Sequence, residues 1–235
     1  MNRFKQRSTQ KEWMDDLQCG GKELSQTLRE LKTINHWLGG NRVTTNGLKR
    51  LLKHQNQWPV TVADLGCGVG DMIAHMAKWA AKNNYPINFI GIDANPNIIA
   101  LAKEKFYAHK SHVHFMVGDV FEEDLFQAPV DINTCTLFAH HFTNQELVLI
   151  LNNLKNNAKL GLIINDLHRH PLAYHSIKLL TGWFSQSSMV KNDAPISVLR
   201  AFTKKDWQII LKSCGIIKYE ISWHWAFRWQ VICWK

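Results

Sequence analysis

No stretch of this chain approaches the roughly 20 consecutive apolar residues that cross a bilayer. The amino-terminal Met1-Asn2-Arg3-Phe4-Lys5-Gln6-Arg7 is polar and basic with no apolar segment behind it. Neither a membrane span nor a secretory signal is expected, and the predicted location is cytoplasmic. Cysteine is sparse, and Cys19, Cys67, Cys135, Cys214 and Cys233 form no C-x-x-C pair. An odd, scattered set reads as free thiols in a reducing compartment and offers no zinc framework. Also missing is any run of basic residues interleaved with aromatics, although the net charge is +9. Residues 1–56 hold eleven Lys and Arg against five Asp and Glu, so most of the surplus is a solvated basic face in one segment. A nucleic-acid track is the other reading of the same surplus. His109, His112 and His114 straddle a helix end and a strand start without ligand spacing, so no metal is expected.

No internal repeat or low-complexity linker divides the 235 residues, and 46% hydrophobic with 20% charged residues is globular. The length fits one large domain or a domain with an added lobe. Leu24, Leu28, Leu31, Ile34 and Leu38 share one face of a helix that Gly39-Gly40 ends, and a second helix is predicted over 45–53. From residue 59 the texture becomes alternating. Strands are predicted at 60–65, 87–92, 113–117, 131–137 and 160–165, with helices at 71–83, 96–107, 144–157, 172–182 and 204–213. Strands at 216–224 and 227–234 have no helix between them. The expected fold is α/β: a seven-stranded, mostly parallel Rossmann-like sheet with helices on both faces and an antiparallel C-terminal hairpin. Residues 1–56 would form a helical cover over a nucleotide-binding domain at 57–235. Trp223, Trp225, Phe227, Trp229, Val231 and Cys233 alternate with polar residues, which an alternating half-buried strand explains.

The run Asp64-Leu65-Gly66-Cys67-Gly68-Val69-Gly70-Asp71 follows the first predicted strand. Such a glycine turn is where parallel sheets bind nucleotides. The dinucleotide fingerprint needs a third glycine at the position of Asp71, where a carboxylate would face the diphosphate, so the pattern argues against NAD. Asp93 ends the second strand 23 residues after Gly70, and Asp119 follows the third. A carboxylate at Asp93 can take both ribose hydroxyls.

The pattern Asp64, Gly66, Gly68, Gly70 resembles the first motif of class I S-adenosyl-L-methionine (SAM) methyltransferases. The resemblance implies that Gly66, Cys67 and Gly68 line the methionine part, with Asp64 near its ammonium group. It further implies Asp93 on the ribose and Asp119 with Val120 on the adenine, with Ala94 and Leu137 completing the cofactor set. It covers about residues 58–167 by motif and the remainder by topology. The fourth strand leads into Phe138-Ala139-His140-His141-Phe142, without the N-P-P-Y type turn of nucleobase amine methylases or the Pro-Cys pair of cytosine methylases. It resembles small-molecule methyltransferases of the ubiquinone-biosynthesis type. The runs Arg7–Asp16, Asp166–Tyr174 and Asp193–Thr203 resemble a bacterial group associated with polyketide or aryl-polyene pigments.

Acceptor chemistry is expected from His140, His141, Asp166, His168 and Arg169, which lie past strand ends. At least one of the paired histidines should reach the cavity as a base. Asp166 or His168 could take a hydroxyl proton, and Arg169 could hold an anionic oxygen. Arg200 is read either as reaching the acceptor or as pairing on the surface, and Thr203 as a helix cap. The predicted function is methyl transfer from SAM to an oxygen, less readily a carbon, of an aromatic or polyketide-like small molecule. Two alternatives stay open, an RNA or tRNA methyltransferase and a SAM-binding protein without catalysis. Monomer and homodimer are both compatible with the sequence.

Overall fold

The apolar and β-branched run Val60–Ala63, extended by Asp64 and Leu65, forms the strand (β1, Val60–Leu65) around which the sheet is built. A strand covered by helices on both faces has no solvent side to supply polar residues, hence the continuous run. The computed structural model describes residues 3–106, 112–122, 125–126 and 128–235. The other strands are β2 (Ile87–Asp93), β3 (Val113–Val117), β4 (Val130–Thr136), β5 (Ala158–Leu167), β6 (Tyr219–His224) and β7 (Arg228–Trp234). Their spatial order is β3-β2-β1-β4-β5-β7-β6, with β1 to β5 parallel and β7 antiparallel to both neighbours. The expected seven-stranded sheet and terminal hairpin are therefore present. The chain runs outward from β1 to β3 and returns to place β4 beside β1, so a switch point opens at the C-terminal ends of β1 and β4.

Eight α-helices surround the sheet among the described residues: α1 (Gly21–Trp37), α2 (Gly40–Leu51), α3 (Asp71–Lys82), α4 (Pro96–Lys105), α5 (Asn144–Asn157), α6 (Pro171–Phe184), α7 (Ser188–Arg200) and α8 (Lys204–Ser213). Leu48 of α2, Ile73 and Met76 of α3 and Ile99 of α4 pack with Val62, Ile132 and Ile163 on one face. Leu151 and Leu154 of α5 with Trp207 and Ile210 of α8 pack on the other. Capping sets several boundaries. The Asn95 side chain accepts from the amides of Asn97 and Ile98 ahead of Pro96, and capping boxes pair Thr143 with Glu146 and Thr203 with Asp206. Thr203 is thus a cap, as its sequence context suggests.

Three expectations differ from the structure. The second helix begins at Gly40 rather than 45, because Gly39 takes φ +70 and reverses the chain directly after α1. Residues 188–200, to which no element is assigned from sequence, are helical, with Pro195 buried inside α7. The aromatic stripe is not one half-buried strand. Trp229, Val231 and Cys233 are buried in β7, but so are Arg228, Gln230 and Ile232, because helices cover both faces. Trp229 Nε1 donates to the Phe202 carbonyl on one side, and Gln230 Nε2 to that of Val43 in α2 on the other. Trp225 and Phe227 fall in the hairpin turn, with Trp225 70% exposed. His112 and His114 are exposed, and His109 lies outside the described residues. No helix among the described residues is long and apolar enough to cross a membrane.

Candidate cofactor and acceptor site

The loop after β1 turns through three left-handed glycines, Gly66, Gly68 and Gly70, at φ +64, +54 and +75. A Cβ on Gly66 would come within 2.1 Å of the Phe138 ring, so the loop and the β4 exit are locked together. At Gly68 a Cβ would meet open space, and the residue lines both cavities described below. Bare backbone therefore forms a cradle that a side chain would fill. Asp93 braces it. One carboxylate oxygen accepts from Gly68 N at 3.0 Å and the other from Asn95 N at 3.0 Å, which leaves a lone pair on each for a further donor. Asp119 accepts from Phe121 N at 3.0 Å. Asp71 sits at the start of α3 and pairs with Lys105 at 2.6 Å and Lys32 at 3.3 Å.

Two cavities open at the switch point. The first, about 930 Å³, is lined by Gly66, Gly68, Asp93, Ala94, Asp119, Val120 and Leu137. The second, about 420 Å³, is lined by Asp64, Cys67, Leu167 and His168, by Leu28 and Leu31 of α1, by Ile177 and Leu180 of α6, and by Trp225 and Phe227. Met14, Gly66, Gly68, Leu137, His140 and His141 line both, so this group forms the junction. Leu137 is held at φ +53, with its amide donating to the Asn165 carbonyl at 2.8 Å. A branched residue in the left-handed region is a strained feature of the kind found at functional sites.

His140 and His141 occupy a short 3-10 turn, Ala139–His141, after β4. His140 is 3% exposed, and its Nδ1 lies 2.7 Å from Asp166 Oδ1. Burial pushes the Asp166 carboxyl upward, but His140 and the Leu167 amide outweigh it and hold Asp166 below the usual carboxylate range. An ionised Asp166 can only accept, so His140 donates from Nδ1 and, when neutral, presents a lone pair at Nε2. His141 Nδ1 meets Asp15 Oδ1 at 2.6 Å. Burial also works upward on Asp15, and hydrogen bonds from His141 and Arg200 overcome it.

The segment before α1 is a strap across this junction. Glu12 Oε2 accepts from Ser197 at 2.8 Å, while Glu12 Oε1 lies 3.7 Å from His140 Nε2 and 3.6 Å from Arg200 Nη1. Burial pushes the Glu12 carboxyl up to about 7. Arg200 pairs with Asp15 at 2.5 Å and donates to the carbonyls of His140 and His141, so it clamps the histidine turn. It is buried, which overturns the surface-pairing reading, and it lines the first cavity. Asp193 anchors the strap by accepting from the amides of Trp13 and Met14.

Among the five acceptor-side candidates, His140, His141 and His168 line the second cavity; Asp166 and Arg169 line neither. Asp166 is fully buried behind His140. Arg169 points inward, paired with Asp206 at 2.9 Å and donating to the Ala201 and Phe4 carbonyls, so it is not free to hold an acceptor oxygen. Partial burial beside His170 and Arg169 lowers His168 to about 4, which leaves it neutral at physiological pH. Sequence reasoning missed Glu12, Asp15 and Arg228 as site residues. It found the Leu28/Leu31 helix face but not that this face lines a cavity.

Asp64 is buried and accepts from Thr134 Oγ1 at 2.6 Å, and burial lifts its pKa from 3.8 to about 7. A raised carboxyl favours folding most below its ordinary pKa, and that contribution is lost as pH rises through the folded value. Asp64→Asn therefore gains stability relative to wild type as pH rises from about 4 to about 7 and stays level above. Paired urea unfolding curves across that range check the sign.

Residues 62–161 match the family model described as "Methyltransferase domain". The chain is 27% identical over 198 residues to a carboxy-S-adenosyl-L-methionine synthase of Nautilia profundicola, covering 78% of this chain and 77% of that one. It superposes on magnesium protoporphyrin IX methyltransferase of Synechocystis with TM-score 0.56 at 18% identity, covering 84% of this chain and 83% of the other. On human N-acetylserotonin methyltransferase the TM-score is 0.63 at 16% identity, covering 91% of this chain and 55% of the other. The glycine cradle, Asp93 and Asp119 along the first cavity all fall within residues 62–161, the part that matches a methyltransferase domain, and the chain as a whole has the fold of SAM-dependent methyltransferases.

Proposed function

We propose that the protein transfers the methyl group of SAM to an oxygen of a small, largely apolar acceptor, with an aromatic or polyketide-like skeleton. The observation that carries this reading is the junction itself. Two cavities meet at Gly66, Gly68, Leu137, His140 and His141, and His140 is fixed there by a buried carboxylate.

In this reading Gly66, Cys67 and Gly68 lie along the methionine part, with Asp64 beneath the loop. Asp93 accepts from the ribose hydroxyls, Asp119 and Val120 bound the adenine, and Ala94 and Leu137 close the walls. The cofactor supplies an electrophilic methyl carried on a positively charged sulfur. The remaining work belongs to the chain. The second cavity holds the acceptor with its oxygen toward the junction, which converts an encounter into an aligned displacement. His140 Nε2 takes the acceptor's hydroxyl proton, and Asp166 fixes the tautomer and offsets the imidazolium charge. The strap from Arg7 to Asp16 and the apolar face of α1 cover the junction, so residues 1–56 act as the cover of a transferase domain at 57–235. His141, held by Asp15, and neutral His168 shape the chamber. Methyltransferases of small molecules among the structural neighbours, including the protoporphyrin and N-acetylserotonin enzymes, support a small-molecule acceptor.

The test is incubation with SAM, total RNA and a panel of phenolic and enolic acceptors, enolic carboxylic acids that can give up a carboxyl group among them, read by mass spectrometry. A methylated acceptor with stoichiometric S-adenosylhomocysteine is expected. A carboxylated cofactor as the product would favour the activity named for the Nautilia relative, and methylated RNA as the sole product would overturn the small-molecule reading.

A further inference from the structure

Arg228, the first residue of β7, is 1% exposed and lines the second cavity. Its Nη2 donates to Asn35 Oδ1 at 2.9 Å, while Nε and Nη1 have no hydrogen-bond partner among the described residues. A guanidinium carries five donors and no acceptor, so a buried one with two nitrogens unmet is costly unless an anion completes it. Its surroundings add positive character. The guanidinium packs on Gly40 so closely that a Cβ there would come within 2.6 Å of Cζ, and Gly40 opens α2, where the helix dipole is positive. The nearby Asp166 is already committed to His140 and the Leu167 amide. Burial lowers Arg228 to about 10, against the pull of Asp166, so it remains charged at neutral pH. Leu28, Leu31, Ile177, Leu180 and Phe227 give the chamber an apolar wall, while Lys32 and the acids Glu12, Asp64, Asp71 and Asp193 also reach its lining.

We infer that Arg228 is the seat of a carboxylate on the acceptor, which makes the substrate an apolar small molecule with an acid group. This inference rests on the acceptor chamber of the proposed function and narrows its substrate class. The cofactor's own amino-acid carboxylate is the other source of the same chemistry. The strand order disfavours it: β7 is the third strand from β1, roughly 14 Å from the glycine loop at about 4.8 Å per strand.

The experiment titrates the protein, loaded with S-adenosylhomocysteine, with cinnamate and with cinnamamide by calorimetry. Cinnamate is expected to bind at least ~10-fold more tightly than the amide, the scale of one charge-assisted hydrogen bond. Arg228→Met should erase that preference. Arg228→Lys keeps the charge without the fork and should retain part of it. Asn35→Ala, which removes only the side chain that holds the guanidinium, should weaken cinnamate a few-fold and serves if Arg228→Met does not fold. Equal binding of acid and amide to wild type, or no binding of either, overturns the inference. A second arm compares S-adenosylhomocysteine with 5′-methylthioadenosine, which lacks the amino-acid part. If Arg228→Met weakens the first and spares the second, the carboxylate is the cofactor's and the inference falls. Failure of wild type to bind S-adenosylhomocysteine at all would instead strike the cofactor reading.

Discussion

Gly66→Ala is expected to abolish measurable binding of S-adenosylhomocysteine and to lower folding stability by about 2–5 kcal/mol. Two separate costs combine. A side chain at φ +64 carries the left-handed penalty of about 1–2 kcal/mol. The new methyl would also stand 2.1 Å from Phe138 Cδ2, and that ring cannot simply swing away. It packs edge-on against Phe142 at 4.9 Å, which meets Phe121 at 5.6 Å, so overpacking adds roughly 1–3 kcal/mol. Relief requires the β4 exit to move, and that exit carries Leu137 and the histidine turn. Gly68→Ala separates the two effects. It shares the positive φ but meets no atom within 4 Å, so its stability loss should stay near 1–2 kcal/mol while its methyl intrudes into the cradle. Urea unfolding and calorimetric titration of both variants provide the check. Unimpaired cofactor binding by folded Gly66→Ala would mean that the loop does not hold the cofactor.

The second large effect is on turnover. His140→Ala should lower kcat by about 10²–10⁴ while leaving S-adenosylhomocysteine affinity within a few-fold, the expected cost of losing a positioned base. Asp166→Asn should do nearly as much without touching substrate. An amide at position 166 can donate toward Nδ1, which moves the imidazole proton to Nε2 and removes the lone pair from the junction. Two backbone amides, of His140 and Leu167, also lose a charged acceptor. The informative readout is therefore the split. A fall in kcat with KM unchanged supports tautomer control, whereas matched losses of stability and cofactor affinity would assign Asp166 to scaffolding alone.

Much of the fold is legible because its signals are local. β1 at 60–65, β3 at 113–117, α5 at 144–157 and α8 at 204–213 coincide with their expected spans, marked by a buried run in β1, by alternation in β3 and by helical periodicity behind a Thr cap in the two helices. Helix α7 carries Pro195 in its interior, which removes a helical hydrogen bond and weakens its local signal. The stripe from Trp223 to Cys233 escaped because a period of two says which residues alternate, not whether a helix covers the second face. The lining of the first cavity at the ends of β1 and β2 was similarly readable, since glycines and strand-end acids act through backbone positions close in sequence to the loop they shape. The acceptor side was not. Arg169 looked like an anion holder because it follows a strand end, yet Asp206 and two carbonyls occupy it.

The sequence by itself determined the sheet, the glycine turn after its first strand and the acids that face it, because hydrophobic period and backbone freedom are properties of neighbouring residues. Tertiary structure alone decided which histidine is oriented, what covers it and where a buried charge is left over. Asp15 and His141 stand 126 positions apart, and Arg228 and Asn35 193. No local pattern encodes a hydrogen bond across such distances. It exists only because the return of the chain to β4 and then to β7 brings the strap, α1 and three strand ends to one rim of the sheet.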